Sequence, residues 1–231
     1  MLEGDAQRRL PEHVPPPSAA DASGRELQIL TTEHWSLLSS RSLGYTESMS
    51  RVSMFIAALS GSIVALALVA QATSFGEGFR AFGLVLLPVV FFLGVVTVAR
   101  LGQINYEDAV WVQGLNRLRH AYLERSPELA PYFVTSTHDD DAGILVSTLA
   151  RTNLRMPVQS FIALPGMVSV LDSVVAGVIV GIATLPLGTA WCLTFAVVGF
   201  VVTLAGFVTI GVRTWMTYRS SIVVRFPAEV D

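Results

Sequence analysis

The chain contains no lysine, a single cysteine and few charges. All 15 basic residues among its 231 are arginines. Charged residues make up only 14% of the chain, whereas soluble domains carry about a quarter. The lone Cys192 excludes an intrachain disulfide and a multi-cysteine metal site. The net charge of −3 lacks the excess of basic residues that is typical of nucleic-acid-binding proteins. The composition therefore indicates a membrane protein, and we expect no cofactor, metal site or nucleic-acid partner.

Four segments have the length and apolarity of transmembrane helices. They cover about Val52–Ala70, Ala81–Ala99, Phe161–Leu185 and Thr189–Val212. Four such runs leave too little polar chain to cover them in water, so we expect the lipid bilayer to do so. The predicted fold is all-α and polytopic, with the four spans arranged as two hairpins.

The arginines predict the orientation, because cytoplasmic loops are enriched in them. The two short links, 71–80 and 186–188, carry only Arg80 between them. The other arginines near the spans lie in the N-terminal flank, the central segment and the C-terminal tail. We therefore expect a multi-pass plasma-membrane protein whose N- and C-termini are both cytoplasmic.

The spans and the polar segments that flank them divide the chain into five parts. Residues 1–24 are rich in proline and lack the apolar run of a signal peptide, so we expect a disordered cytoplasmic tail. Residues 25–125 form the first hairpin with long cytoplasmic helical extensions. Residues 126–160 form a cytoplasmic linker with a short helix at about 143–155, capped by Asp140 or Asp141. The second hairpin covers 161–212, and residues 213–231 form a cytoplasmic tail.

Asp172 is the only acidic or basic residue in any of the four spans. At about 1.5 Å per residue it lies roughly 15 Å from the inner edge of its span. The same estimate puts Ser60, Ser62, Pro88 and Thr203 at a similar depth. A carboxylate, nearby hydroxyls and a carbonyl freed by the proline make a candidate cation or proton site. The alternative is a protonated Asp172 that donates a hydrogen bond to a hydroxyl on a neighbouring helix.

Small residues recur four apart in two spans, and this spacing lets helix backbones approach closely. We expect these stripes to pack the two hairpins together within one chain, with a subunit interface or pore lining as the alternative. The stripe in the third span consists of Ser169, Ser173, Gly177 and Gly181, and the stripe in the first span of Ser53, Ala57, Gly61 and Ala65.

No enzyme signature stands out. The chain has no G-x-S-x-G, no phosphate-binding loop and no H-E-x-x-H, and its four histidines all lie outside the spans. The run His138–Asp141 lacks the ligand spacing of a calcium loop, so a solvated loop that caps a helix is the favoured interpretation over a divalent-cation site. We therefore expect a protein that is not an enzyme.

Three long segments resemble a family of uncharacterised, actinobacterial four-helix integral membrane proteins with no assigned activity. They are TEHWSLLSSRSLGYTESMSRVSMFIAALSGSIVALALVAQ, LPVVFFLGVVTVARLGQINYEDAVWVQGLNRLRHAYLE and LDSVVAGVIVG. The resemblance covers about residues 30–215. It implies a bacterial plasma-membrane location and no site residues.

Two functional hypotheses follow. The first is a homo-oligomer that conducts ions or protons, with Asp172 lining the path, since one four-helix chain can hardly enclose a pore. The second is a non-conducting scaffold or signalling protein that docks a cytoplasmic partner through Trp35, Trp111 and Tyr122.

Overall fold

A computed structural model describes residues 19–149 and 163–228, and this part of the chain is α-helical without a β-strand. The helices are α1 (Ala19–Thr73), α2 (Glu77–Arg125), α3 (Asp141–Leu149), α4 (Leu164–Thr184) and α5 (Thr189–Ser221), with 3-10 turns at Pro127–Tyr132 and Leu185–Leu187. Four of these helices, α1, α2, α4 and α5, are long and apolar enough to cross a membrane.

The first two helices are much longer than a bilayer is thick. With 55 and 49 residues, α1 and α2 reach about 80 and 75 Å, against about 30 Å of hydrocarbon. Their apolar halves meet at the short turn 74–76, which lies on the same side as the 185–188 turn. We call this side the loop end. The opposite side, where α3 and the C-terminal segment pack on α2, is the polar end.

The four membrane-length helices form a row. Helix α1 packs along α2, α2 along α4, and α4 along α5, while α1 touches α4 and α2 touches α5 only lightly. The larger of two apolar clusters runs through the first three of these helices. It contains the fully or nearly buried residues Val52, Phe55, Leu87, Val90, Leu101, Val168, Val175 and Ile182.

Both turns at the loop end use unusual backbone conformations. Ser74 and Phe75 have φ of 48° and 59°, and the Phe75 amide donates to the Ala70 carbonyl at 3.1 Å. Gly188 has φ of 103°, which side-chain-bearing residues rarely adopt. These residues let each hairpin reverse direction within a few residues.

Several helix boundaries differ from the predicted domains. Helix α1 already begins at Ala19, where the sequence predicts a disordered tail over residues 1–24, and Asp21 lies in its first turn, where a negative charge is favourable. The predicted tail 213–231 is also ordered in part, because α5 continues to Ser221. Tyr218 is buried there against Ala109 and Val112 of α2. Residues 1–18, 150–162 and 229–231, including the end of the predicted helix 143–155, lie outside the described part.

The loop His138–Asp141 is not a solvated loop. Asp139 is completely buried. Asp140 caps α3, since its Oδ1 accepts the Gly143 amide at 2.7 Å. This confirms one of the two predicted caps, and the burial of Asp139 has a specific cause described below.

Ion pairs join α1 to α2 just beyond their apolar halves. Arg100 donates from Nε and Nη2 to the two Glu47 carboxylate oxygens, both at 2.9 Å. Arg51 adds a third donor to Glu47 at 2.8 Å. Farther along, Arg41 forms the same forked pair with Asp108, at 2.6 and 3.1 Å. Such two-point geometry fixes the register of the two helices.

The Glu47 pair makes helix pairing sensitive to acid. The hydrogen bonds from Arg100 and then from Arg51 lower the pKa of Glu47 to about 2, from an ordinary value of about 4.5. Because the folded pKa is the lower one, this stabilisation is complete above about pH 4.5 and is lost as the pH falls towards 2. We expect Glu47→Gln to lower the melting temperature at pH 7. The difference in melting temperature between this variant and wild type should be smaller at pH 3.

Thermal unfolding in detergent at a series of pH values measures this gap. Glu33→Gln, at an exposed position on the same helix, is the matched control and should follow wild type throughout. A gap that stays constant between pH 7 and pH 3 would contradict the role given to Glu47.

Candidate functional site

The candidate site is centred on Asp172, in the middle of α4. Its side chain is completely buried. Val168 and Val175, one turn away on either side, belong to the apolar core shared with α1 and α2. The most polar residue of the four predicted spans therefore lies inside the protein and not against lipid.

Gly94 of α2 provides the space for this carboxyl group. A Cβ atom at position 94 would overlap Oδ1 and Cγ of Asp172. The aspartate side chain thus rests directly on the α-carbon of Gly94. A glycine inside a helix costs roughly 0.5–1 kcal/mol relative to alanine, and here the close approach requires it.

The carboxyl group has no hydrogen-bond partner among the described residues. Both Asp172 oxygens are buried and unpaired. An ionised carboxylate in such surroundings costs several kcal/mol, so the arrangement favours a bound proton or a bound cation over the free anion. Few structural roles require a carboxyl group in this state.

The polar side chains nearest along the helices are hydroxyls. Ser173 follows Asp172, while Ser169 of α4 and Thr97 of α2 lie one turn from Asp172 and Gly94, towards the polar end. All three are buried. Each donates its proton to its own helix, to the carbonyls of Ser169, Pro165 and Leu93 at 2.6–2.7 Å. Their oxygens retain the capacity to accept a hydrogen bond.

The helix register shows which of the predicted polar residues share the depth of Asp172. Gly181 of α4 lies beside Ala196, and Gly177 lies beside Ala196 and Phe200 of α5. Continued by one turn, this antiparallel register places Thr203, which is half-buried, level with Asp172. Thr203 is therefore at the depth that the sequence predicts.

Three other predicted residues do not reach this level. Pro88 lies six residues before Gly94 on α2, which is about 9 Å along the helix. Leu66 contacts Gly83, so Ser62, one turn earlier on α1, is level with Pro88 and not with Gly94. Ser62 is buried, whereas Ser60 and Pro88 are exposed. The structure thus does not bring Ser60 or Ser62 together with Asp172.

The two stripes of small residues have different surroundings. All four members of the α4 stripe are buried. A Cβ at Gly177 would lie 2.7 Å from the Ala196 carbonyl, and one at Gly181 would lie 3.3 Å from the Ala196 Cβ, so these glycines pack α4 on α5. Gly61 of α1 is exposed, and a Cβ at this position would have nothing within 4 Å of it. Helix α1 turns the face of Phe55, Leu59 and Leu66 to the core, and Gly61 lies away from that face.

Sequence reasoning missed Gly94 and Thr97. Gly94 lies in the run FFLGVV, where an isolated glycine within an apolar helix indicates a close approach of another group. The identity of that group could not be read from the run. Among the described residues, no three His, Cys, Asp or Glu side chains are grouped to hold a metal ion.

No protein-family model matches this chain, and searches of curated proteins and of solved structures give no match either. The roles of its residues therefore have to be argued from the geometry of the site alone.

The contact between Asp172 and Gly94 predicts a reciprocal mutational effect. Gly94→Ala forces a methyl group into the carboxyl group and should destabilise the protein by about 1–3 kcal/mol, as overpacking does. Adding Asp172→Ala removes the overlapping atoms and should restore part of the loss, so the two effects are not additive.

Thermal unfolding in detergent of the two single variants and the double variant completes the cycle. Gly102→Ala in the same helix is the matched control, since its Cβ meets open space, and it should keep stability or raise it by up to about 1 kcal/mol, as glycine to alanine does within a helix. If Gly94→Ala behaves like Gly102→Ala, or if the double variant shows simple additivity, the contact is not as described.

Proposed function

We propose that this chain is an integral plasma-membrane protein that conducts protons or cations as a homo-oligomer, with Asp172 on the path. The observation that carries the proposal is the fully buried carboxyl group without a hydrogen-bond partner among the described residues. Acidic groups at membrane depth are energetically unfavourable, and where they occur they commonly serve as proton relays or cation sites.

The surroundings of Asp172 favour access from the polar end. On that side, Ser169 and Thr97 place hydroxyl oxygens within one turn of the carboxyl group. Towards the loop end, Leu87, Val90 and Ile182 of the apolar core follow instead. A proton or a cation partly stripped of water would therefore meet hydroxyl oxygens within one turn on the polar-end side, beside the apolar Val168, whereas on the loop-end side the buried Ser62 hydroxyl lies about 9 Å away.

The polar end is proposed to be cytoplasmic. Arginines are concentrated there, including Arg100, Arg117 and Arg219, whereas the loop end carries Arg80. This distribution is that of the positive-inside rule. It supports a cytoplasmic location for both termini, with the hydroxyl side of Asp172 facing the cytoplasm.

Oligomerisation is proposed because the helices form an open row. Helix α1 lies at one edge of the row and exposes Ser53, Ala57 and Gly61. Small residues at this spacing suit a close helix–helix contact in lipid. A second copy at this edge would add walls that the row of one chain does not provide.

Ion and proton flux in proteoliposomes tests the proposal. We expect Asp172→Asn to reduce the flux to the level of empty liposomes or to change its selectivity, because the amide keeps the size of the side chain and cannot bind a proton or balance a cation. Glu77→Gln makes the same chemical change at an exposed position of the loop end and should conduct like wild type.

Flux that is equal in wild type and Asp172→Asn would remove Asp172 from the path. If no folded preparation conducts, the proposed conduction is overturned. If the protein is strictly monomeric in mild detergent, the proposed homo-oligomer is overturned.

A scaffold that docks a cytoplasmic partner is the second candidate, and Trp35 is the observation that favours it. Its side chain is 66% exposed on the polar-end half of α1. The other proposed docking residues are engaged within the chain. The Trp111 ring covers Gly44, where a Cβ would lie 3.0 Å away, and the Tyr122 ring lies 5.8 Å from that of His34. A docking surface would therefore centre on Trp35.

Trp35→Ala should abolish binding of a defined partner without changing the melting temperature, because the side chain is exposed. Trp111→Ala should lower the melting temperature whether or not a partner binds, since it removes packing between α1 and α2. Isothermal titration and thermal unfolding of both variants measure these effects. Loss of stability in Trp35→Ala would argue against a free docking residue.

A further inference from the structure

The C-terminal segment Val223–Ala228, called the tail segment below, lies across the polar end as a non-helical peptide with a bend at Arg225 and Phe226. Its backbone is held at several successive points. The Val223 carbonyl accepts from Gln113 at 3.2 Å, and the Arg225 and Phe226 amides donate to Asp139 at 3.0 and 2.8 Å. The Phe226 carbonyl accepts the Asp139 amide at 3.2 Å, and the Ala228 amide donates to Asp140 at 2.8 Å. These contacts are made by backbone groups of the tail segment.

Asp139 is the centre of this recognition. Burial by itself raises the pKa of Asp139, but the Phe226 amide, the Arg117 guanidinium and the Arg225 amide outweigh it and leave the pKa below its ordinary value. Arg117 approaches from α2, with Nε 2.7 Å from Oδ2. The carboxylate is thus charged, completely buried and shared between α2 and the tail segment.

Side chains of α2 hold the loop in the shape that receives the tail segment. Asn116 is completely buried, and its Nδ2 donates to the His138 carbonyl at 2.8 Å. Its Oδ1 accepts from Arg119 and from Ser147 at 2.8 and 3.0 Å. Gln113 donates to the Asp139 carbonyl at 3.1 Å as well as to Val223. The receiving surface is therefore built by groups other than the tail segment itself.

One side chain of the tail segment gives the contact its selectivity. The Phe226 ring stacks on the His120 ring with centroids 4.1 Å apart and planes inclined by 26°. Val223, Val224 and Arg225 are exposed. The surface thus recognises a peptide backbone together with one aromatic residue, and it tolerates different residues before the aromatic one.

The buried Asp139 carboxylate needs amide donors, so the surface that carries it is unfavourable when empty. The tail segment is held by few apolar contacts, so another peptide could replace it. If the tail segment left, Asp139 would keep Arg117 and lose two amide donors, which is costly for a buried carboxylate. Little apolar area holds the tail segment in place, because most of its side chains are exposed. Another peptide that adopts this bent backbone, and so offers the same amides and an aromatic ring, would make the same contacts.

We propose that loop His138–Asp141 and the adjoining face of α2 form a peptide-binding site that is occupied in cis by the tail segment. Its ligand is a peptide of a protein partner that adopts the same bent backbone, with an aromatic residue that stacks on His120. This site goes beyond the proposed conduction and does not depend on Asp172. The tail segment acts as a competing intramolecular ligand at high effective concentration.

Binding of a labelled peptide with the sequence of residues 222–228 (IVVRFPA) to the full chain tests this site by fluorescence anisotropy. Phe226→Ala weakens the tail segment in cis and leaves the receiving surface intact. We expect this variant to bind the peptide roughly threefold to tenfold more tightly than wild type, from the value of one aromatic contact. His120→Ala, added to Phe226→Ala, should weaken binding by a similar factor.

The control peptide IVVRAPA, which lacks the aromatic ring, should bind the Phe226→Ala chain more weakly than IVVRFPA by the same factor. Equal binding of both peptides would overturn the aromatic recognition. Absence of saturable binding to the Phe226→Ala chain, with a melting temperature showing that it is folded, would overturn the site and make the tail contact a permanent part of the fold.

Discussion

The contact of α4 with α2, at which Asp172 rests on Gly94, is the constraint on which the rest of the structure depends. Helix α1 packs on α2 and α5 packs on α4, so the two hairpins are joined along this seam. Because a Cβ at position 94 would overlap the carboxyl group, the seam can be this close only with glycine there. The register of α2 against α4 then sets the depth of the carboxyl group and of the hydroxyls beside it.

Two completely buried aspartates show what burial implies in this chain. Asp139 receives two backbone amides and a guanidinium, so its charge is balanced and its role in holding the tail segment is clear. Asp172 receives no hydrogen bond among the described residues. The same residue type is thus fully satisfied at the polar end and unsatisfied at the centre of the seam. This difference distinguishes a carboxylate that organises structure from one proposed to bind a proton or a cation.

The sequence predicts the helical class and the four membrane-length helices because each depends on a long, uninterrupted apolar run, and such runs are local. The helix register also places Thr203 level with Asp172, as counting along the spans predicts. The stripe Ser169, Ser173, Gly177 and Gly181 is buried, but its two glycines pack α4 on α5 within the second hairpin instead of packing the two hairpins together as expected. The sequence misplaces Ser62 and Pro88 by about two turns, because depth counted from a span edge inherits the error in that edge. The facing direction of Gly61 depends on how α1 rotates against α2, which small-residue spacing alone does not specify.

The structure of the polar end is hard to predict from the sequence because it depends on contacts between segments that are far apart in the chain. The run His138–Asp141 looks solvated because acidic runs usually are, and nothing local marks Asp139 as the acceptor for residues 86 and 87 positions later. The sequence feature that could have indicated this structure is a set of polar residues on one face of α2. Gln113, Asn116 and Arg117 form a polar face on α2 beside residues that are otherwise apolar, and a polar face that is buried needs partners from another segment.

The seam and the tail segment are linked mechanically through α2 and α5. Gly94 and Gln113 lie 19 residues apart on the same helix, about 28 Å. The tail segment ties the end of α5 to α2, α5 packs through Ala196 on Gly177 of α4, and α4 returns to α2 at Asp172. These three junctions close a triangle of helices. The tail junction therefore helps to hold the end of α5 on α2, whereas the position of Asp172 is fixed by the direct contact of α4 with Gly94.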